Sequence, residues 1–203
     1  MEGVGPPLVT PFDESGDVDE SRLRELVSWV EDRGVDFLVP CGSNSEAELL
    51  TTSERARVIE IVTETADVPV LAGTGNPGLR ETTRATERAA DATFDLLVGS
   101  GSLLAQALNA GATGGVLALA NVAPEHAATV YEIARDDPAA ARERGAALVE
   151  SNHAITAEYG IPGLKYAMRE RGAPAGYARS PHRAPDESAR DRIDELLDRL
   201  PDV

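Results

Sequence analysis

Directly after the apolar run Phe37–Cys41 (FLVPC), the chain carries Gly42-Ser43-Asn44-Ser45-Glu46, and a capped helical pattern follows. A glycine at such a strand end lets backbone approach a ligand. Successive backbone N–H groups in a turn of this kind can hold a carboxylate or a phosphate. Ser43, Asn44 and Ser45 add hydroxyl and amide donors. An ordinary polar βα loop has the same composition, because Ser and Asn are common turn residues. Gly73-Thr74-Gly75-Asn76 and Gly99-Ser100-Gly101-Ser102 follow two further apolar runs. Neither has the spacing of a dinucleotide fingerprint, and no P-loop lysine is present. Three such turns at successive strand ends would line one mouth, the usual place for a ligand.

Other reactive side chains are sparse. His126, His153 and His182 show no metal-ligand spacing, so neither a metal nor a cofactor is expected. Cys41 ends an apolar strand and reads as a buried filler. Tyr131, Tyr159 and Tyr166 fall in helical patterns and read as packing residues. Lys165, in IPGLKYAM, is the one lysine of the chain. Its setting predicts a surface or interface charge, with acidic neighbours raising its pKa, at a distance from the strand-end rim.

The elements that must position these residues alternate. Leu8–Thr10, Phe37–Cys41, Val68–Gly73, Asp95–Gly99 and Gly115–Ala120 read as short buried strands. Continuous apolar runs of this length suit a parallel sheet covered on both faces. Helical patterns separate them. In Asp19–Arg33, Leu23, Leu26, Val27 and Val30 recur at i, i+3, i+4 and i+7, between a capping Asp19 and a terminating Gly34. Thr51 and Glu54 form a capping-box pattern before Val58, Ile61 and Val62. Leu79–Ala90, Ser102–Ala110 and Pro124–Arg135 complete the set. After residue 136 the strands stop, and Pro138–Tyr159, Pro162–Arg171 and Pro185–Leu200 read as helices, with Gly172–Ala184 a loop. The expectation is an α/β fold of five parallel units over residues 1–136, with a helical extension over residues 137–203.

Composition narrows the partners. Thirty-five acidic groups face 19 basic ones, a net charge of -16, and all but one of the basic residues are Arg. Such a chain should be repelled by nucleic acid and by anionic membranes. No apolar run approaches the ~18 residues of a membrane span. One cysteine and no signal-peptide pattern at MEGVGPPLVTPF lead to a cytoplasmic expectation. Abundant carboxylates with almost no Lys also suit a salt-rich, halophilic interior, where self-repulsion is screened.

Four segments, in order, resemble the dihydrodipicolinate synthase/N-acetylneuraminate lyase family: PPLVTPFDESGDVD, CGSNSEAELLTTSER, VPVLAGTG and GGVLALANVAPE. Gly42–Glu46 is similar to the family's G-[ST]-[TN]-G-E motif, with Ser45 in place of the usual Gly. The Ser-Asn form and the acidic, Arg-rich composition look most like the 2-keto-3-deoxygluconate or 6-phosphogluconate aldolases. The resemblance implies a (β/α)8 TIM barrel with C-terminal helices, usually as a homo-oligomer. It also implies a pyruvate-like 2-oxoacid held as a Schiff base. By position, the turn at Gly42 places Ser43 and Asn44 on the substrate carboxylate. Gly99 and Val116 would present backbone at the substrate, and Thr10 would be the first strand's contribution.

The resemblance breaks between Ala90 and Thr93, where the sequence passes from the helix after the third strand to the approach to the seventh. At roughly 30 residues per unit, three units are missing from a barrel of about 250 residues. The family's Y-x-V-P and G-x-K-[DE] motifs, which carry its tyrosine and Schiff-base lysine, do not occur. The expected barrel is therefore incomplete, and no residue is assigned a catalytic role. A Schiff-base lyase, a non-catalytic 2-oxoacid-binding or interaction protein, and a deletion remnant remain as alternatives.

Overall fold

In α1, Glu20–Glu31, Leu23, Leu26, Val27 and Val30 fall on one face and are all buried. Asp19 caps its start, its Oδ1 accepting the Arg22 amide at 3.0 Å, and Gly34 (φ +82°) turns the chain out of it. In α2, Thr52–Thr65, the capping box closes in both directions. Thr51 Oγ1 accepts the Glu54 amide at 3.2 Å, and Glu54 Oε2 accepts the Thr51 amide at 2.8 Å. Val58, Ile61 and Val62 turn inward, so both helices follow the spacing of their apolar residues. These elements belong to a computed structural model that describes residues 2–71 and 97–202. The turn Gly73–Asn76 and the helix expected over Leu79–Ala90 lie outside the described residues.

The sheet is parallel. Strands β1 (Gly3–Gly5), β2 (Leu97–Val98) and β3 (Gly114–Val116) lie in the order β1-β3-β2. Gly3 faces Gly114 in register, and a Cβ on Gly114 would sit 1.9 Å from the Gly3 carbonyl oxygen, so only glycine fits there. Beyond β1 the ladder continues without formal strands. Asp36 N donates to Val4 O (2.8 Å), Val39 N to Pro6 O (3.1 Å) and Leu8 N to Val39 O (2.9 Å). Leu38 then pairs with Val70 in parallel. The parallel pairing expected of Phe37–Cys41 with Val68–Gly73 is thus present where it is described.

Three strand boundaries need correction. The first strand is Gly3–Gly5 and not Leu8–Thr10. Pro6, Pro7 and Pro11 have no N–H to donate to a ladder, so the apolar stretch beside them stays irregular although it is buried. Gly115–Ala120 is a strand only as far as Val116, and Ala118–Asn121 turn into a 3₁₀ helix. Phe37–Cys41 contributes a single bridge, at Leu38.

The C-terminal helices come where the 3.6-residue pattern puts them. The first is broken: Pro138–Ala147 leads into Val149–His153 and a π-helical turn at Ala154–Glu158, followed by Gly160–Glu170 and Glu187–Asp198. Ile155, Leu164, Met168 and Ile193 from these helices join Leu23, Leu26, Val58 and Ile61 in one core. A second core gathers Val4, Leu104, Leu117, Val130 and Leu148. Among the described residues, no helix is long and apolar enough to cross a membrane.

Thr51→Ala removes one half of the α2 capping box and should lower stability by about 1 kcal/mol. A urea midpoint unchanged from the parent would show that the cap contributes nothing.

Candidate functional site

The turn Gly42–Glu46 lies at the C-terminal end of its strand segment, on the rim where β2 and β3 also end. Its shape is fixed from both sides. Cys41 (φ 58°) and Glu46 (φ 55°) both adopt the left-handed conformation, uncommon for residues with a side chain. Between them Ser43–Ser45 form one turn of 3₁₀ helix. Ser43 is exposed, Gly42 and Asn44 are half-buried, and Ser45 and Glu46 are buried. Ser43 Oγ donates to Asn44 Oδ1 at 3.3 Å.

Conformational strain of this kind persists only where surrounding contacts over-determine it. At Glu46 those contacts come from the far end of the chain. Its Oε1 accepts Lys165 Nζ at 2.6 Å, and its Oε2 accepts the Arg179 amide at 2.9 Å. Lys165 is wholly buried. Its other two N–H groups go to the carbonyls of Thr10 (2.6 Å) and Tyr177 (2.8 Å). An ammonium has three donors, and here three acceptors take them. The Phe12 ring lies 4.6 Å from Nζ. Burial pushes the Lys165 pKa down, to about 8, against the opposing pull of the Glu46 carboxylate.

This overturns the expectation for Lys165. It is no surface charge, its pKa is lowered and not raised, and its amine sits beneath the rim, against Glu46. The lone lysine in an Arg-rich chain was the available signal. A compact ammonium can meet three converging acceptors, whereas a planar guanidinium needs a larger opening.

The segment Pro7–Thr10 links the rim together. Asn121, wholly buried, accepts the Val9 amide at 3.3 Å and donates to the Pro7 carbonyl at 3.0 Å, tying the stretch after β1 to the turn after β3. Ser45 Oγ donates to the Leu8 carbonyl. Thr10 enters through its carbonyl, while its Oγ1 is buried with no partner among the described residues. Gly99, exposed, follows β2, and Val116, half-buried, ends β3. The structure therefore brings Gly42, Ser43, Asn44 and Thr10 into one bonded assembly. Gly99 and Val116 sit on neighbouring strands of the same rim. Next to Gly99, Ser102 Oγ accepts Asn152 Nδ2 at 2.8 Å. Sequence reasoning missed Asn121, Asn152 and the Glu46–Lys165 pair.

Arg179 secures the outer side. It donates to the Leu49 and Gly16 carbonyls and pairs with Glu54 (Nη1–Oε2 3.2 Å), and it stacks 4.2 Å from the Phe12 ring. The guanidinium, helped by the Thr51 amide, holds the Glu54 pKa at about 2.

A parallel sheet with helical crossovers and a donor-rich turn at its C-terminal rim defines an α/β protein. The chain belongs to the dihydrodipicolinate synthetase family, which its residues match in two stretches, 1–98 and 90–200. A 4-hydroxy-tetrahydrodipicolinate synthase of Methanothrix thermoacetophila is 42% identical over 95 residues, 47% of this chain and 32% of that protein. The chain thus spans about a third of the length of that curated relative. An uncharacterised DapA-like lyase of Halobacterium salinarum is 28% identical over 283 aligned positions, covering 97% of this chain and 93% of the relative. The crystal structure of N-acetylneuraminate lyase from Mycoplasma synoviae superposes with a TM-score of 0.81 at 20% identity, covering 98% of each chain.

Lys165→Met should cost about 3–5 kcal/mol, because it leaves the Glu46 carboxylate buried without its cation. Lys165→Met with Glu46→Gln should cost clearly less. Equal losses in the two variants, read from urea midpoints, would refute the pairing. The Glu54 pKa carries a second prediction. A carboxylate with a depressed folded pKa contributes stability above its unfolded value, near 4.5, and loses it as pH falls toward 2. The stability gap between the parent and Glu54→Gln should therefore narrow from pH 5 to pH 2.5. A gap constant with pH would show that Glu54 is not held by Arg179.

Proposed function

We propose that this chain is a 2-oxoacid-binding member of its family that keeps the carboxylate turn but does not form the Schiff base of a class I lyase or aldolase. One observation carries this reading: the only lysine amine of the chain is buried and donates to Thr10, Glu46 and Tyr177. Nucleophilic attack on a carbonyl needs a free lone pair within reach of the carbon. An amine whose three protons are all engaged, and which no solvent reaches, offers neither. The absence of Y-x-V-P and G-x-K-[DE] from the sequence supports the same reading. So do the two-part family match and an alignment to the Halobacterium lyase that runs longer than this chain's 203 residues.

In this reading residues 1–136 are an incomplete (β/α)8 barrel of five units, residues 137–203 are the helical extension, and the protein works as a cytoplasmic homo-oligomer. The ligand is a pyruvate-like 2-oxoacid. Its carboxylate meets Ser43 and Asn44 above Gly42, with Thr10, Gly99 and Val116 around its remainder. Glu46 would repel that carboxylate were its charge not offset by Lys165.

Purified protein incubated with pyruvate and borohydride should keep its mass, while pyruvate raises its thermal midpoint, as a ligand of the native state must. A stable adduct mapped to Lys165 would contradict the inactive reading. No adduct and no thermal shift would remove the binding function and leave a deletion remnant.

A further inference from the structure

His126 lies in the helix Pro124–Ala134 and is buried. Its Nε2 lies 2.8 Å from the Pro201 carbonyl oxygen. A carbonyl can only accept, so Nε2 carries the proton of this bond. In a neutral imidazole the other nitrogen, Nδ1, is then an acceptor. It stands 3.3 Å from Glu125 Oε1, and a carboxylate has no proton to offer it. The same Oε1 already accepts Arg171 Nη2.

Three atoms at this corner are buried with no hydrogen-bond partner among the described residues: Glu125 Oε2, His126 Nδ1 and Arg171 Nε. All three surround one oxygen. Oε2 shares a carbon with Oε1, Nε shares a carbon with the Nη2 that Oε1 accepts, and Nδ1 is in contact with Oε1 directly. Buried polar atoms left unpaired are costly, and folded proteins satisfy nearly all of them with protein groups, water or an ion. The charges oppose an ion, since a cation would meet Arg171 and an anion would meet Glu125. Two of the three atoms are acceptors and one is a donor. A small neutral guest with two protons to give and a lone pair to receive matches that set, and water has both.

We propose that this corner is a binding site for one internal water molecule, which donates to Glu125 Oε2 and His126 Nδ1 and accepts from Arg171 Nε. Three hydrogen bonds are what a buried water typically makes. By donating to Nδ1, the water selects the tautomer whose Nε2 holds the proton, and that proton fastens Pro201. The same stretch is held at two more points. Leu200 packs against the second core, and Arg144 Nη1 donates to the Asp202 carbonyl at 3.3 Å. The water therefore joins three segments: the helix Pro124–Ala134, Arg171 at the end of Gly160–Glu170, and Leu200–Asp202. The inference is independent of the 2-oxoacid reading.

The test is NMR of the histidine rings at about pH 8, where an imidazole is ordinarily neutral. Long-range nitrogen–proton correlation reports the tautomer, and cross-relaxation between ring protons and solvent reports a long-lived water. His153→Gln and His182→Gln leave the His126 signals alone and so assign them. The expected result is a neutral ring protonated at Nε2, with cross-relaxation from its Cε1 proton to a bound water. A proton on Nδ1 would overturn the proposal, whether in the other tautomer or in an imidazolium that bonds Glu125 directly. The expected tautomer with no bound water would overturn it as well. His126→Phe keeps the ring and removes both bonds, so the Leu200 amide should exchange about tenfold faster, the scale of one lost hydrogen bond. Should that variant fail to fold, His126→Asn carries the comparison. Exchange at the parental rate would overturn the link between the water site and Leu200–Asp202.

Discussion

A buried ammonium bonds a C-terminal helix to both the N-terminal stretch and the turn at Glu46. Lys165 comes from a C-terminal helix, Glu46 from the turn after the Phe37–Cys41 segment, and Thr10 from the irregular stretch that follows β1. Desolvating a charge is costly, and the interior accepts it only where paired charge and hydrogen bonds replace the lost water. All three protons of the amine find acceptors, and the carboxylate receives the Arg179 amide besides. Those bonds hold Glu46 in its left-handed conformation. Glu46 in turn closes the turn whose middle residues, Ser43 and Asn44, face outward. The shape of the rim thus depends on a helix more than a hundred positions away in sequence.

The same arrangement carries the proposal that the lysine does not form a Schiff base. A Schiff-base amine must be accessible and, at the moment of attack, unprotonated. Burial lowers the Lys165 pKa, a direction that favours the neutral amine. Against it stand the three acceptors around the amine and its complete burial. On the proposed reading Lys165 acts in the folded protein as a structural cation.

Much of the scaffold was readable from local pattern. The helices at Glu20–Glu31 and Thr52–Thr65 follow their apolar spacing, and their caps, Asp19 and Thr51, are where side-chain chemistry requires them. The strands were read a few residues off. Apolar runs report burial, whereas prolines decide whether a buried stretch can pair, and the run at Leu8–Thr10 is buried but flanked by Pro7 and Pro11. The turn Gly42–Asn44 was legible as donor-rich chemistry. Its supports were not, because Lys165 and Glu46 are 119 positions apart. Asn121 lies 112 positions from the amide it accepts. In IPGLKYAM a lysine beside Leu164, Ala167 and Met168 reads locally as a charge at the margin of an apolar face. Only the tertiary structure shows that its neighbours are carbonyls and a carboxylate.

Because the chain has one lysine, the central claim can be tested with a single reaction. Reductive methylation with formaldehyde and a mild hydride modifies accessible amines, and mass spectrometry of the digested protein reports the site. The account predicts that Lys165 stays unmodified in the native protein and is methylated once the protein is unfolded in denaturant. Methylation of Lys165 in the native state at the rate of the unfolded chain would show an accessible amine and contradict the account.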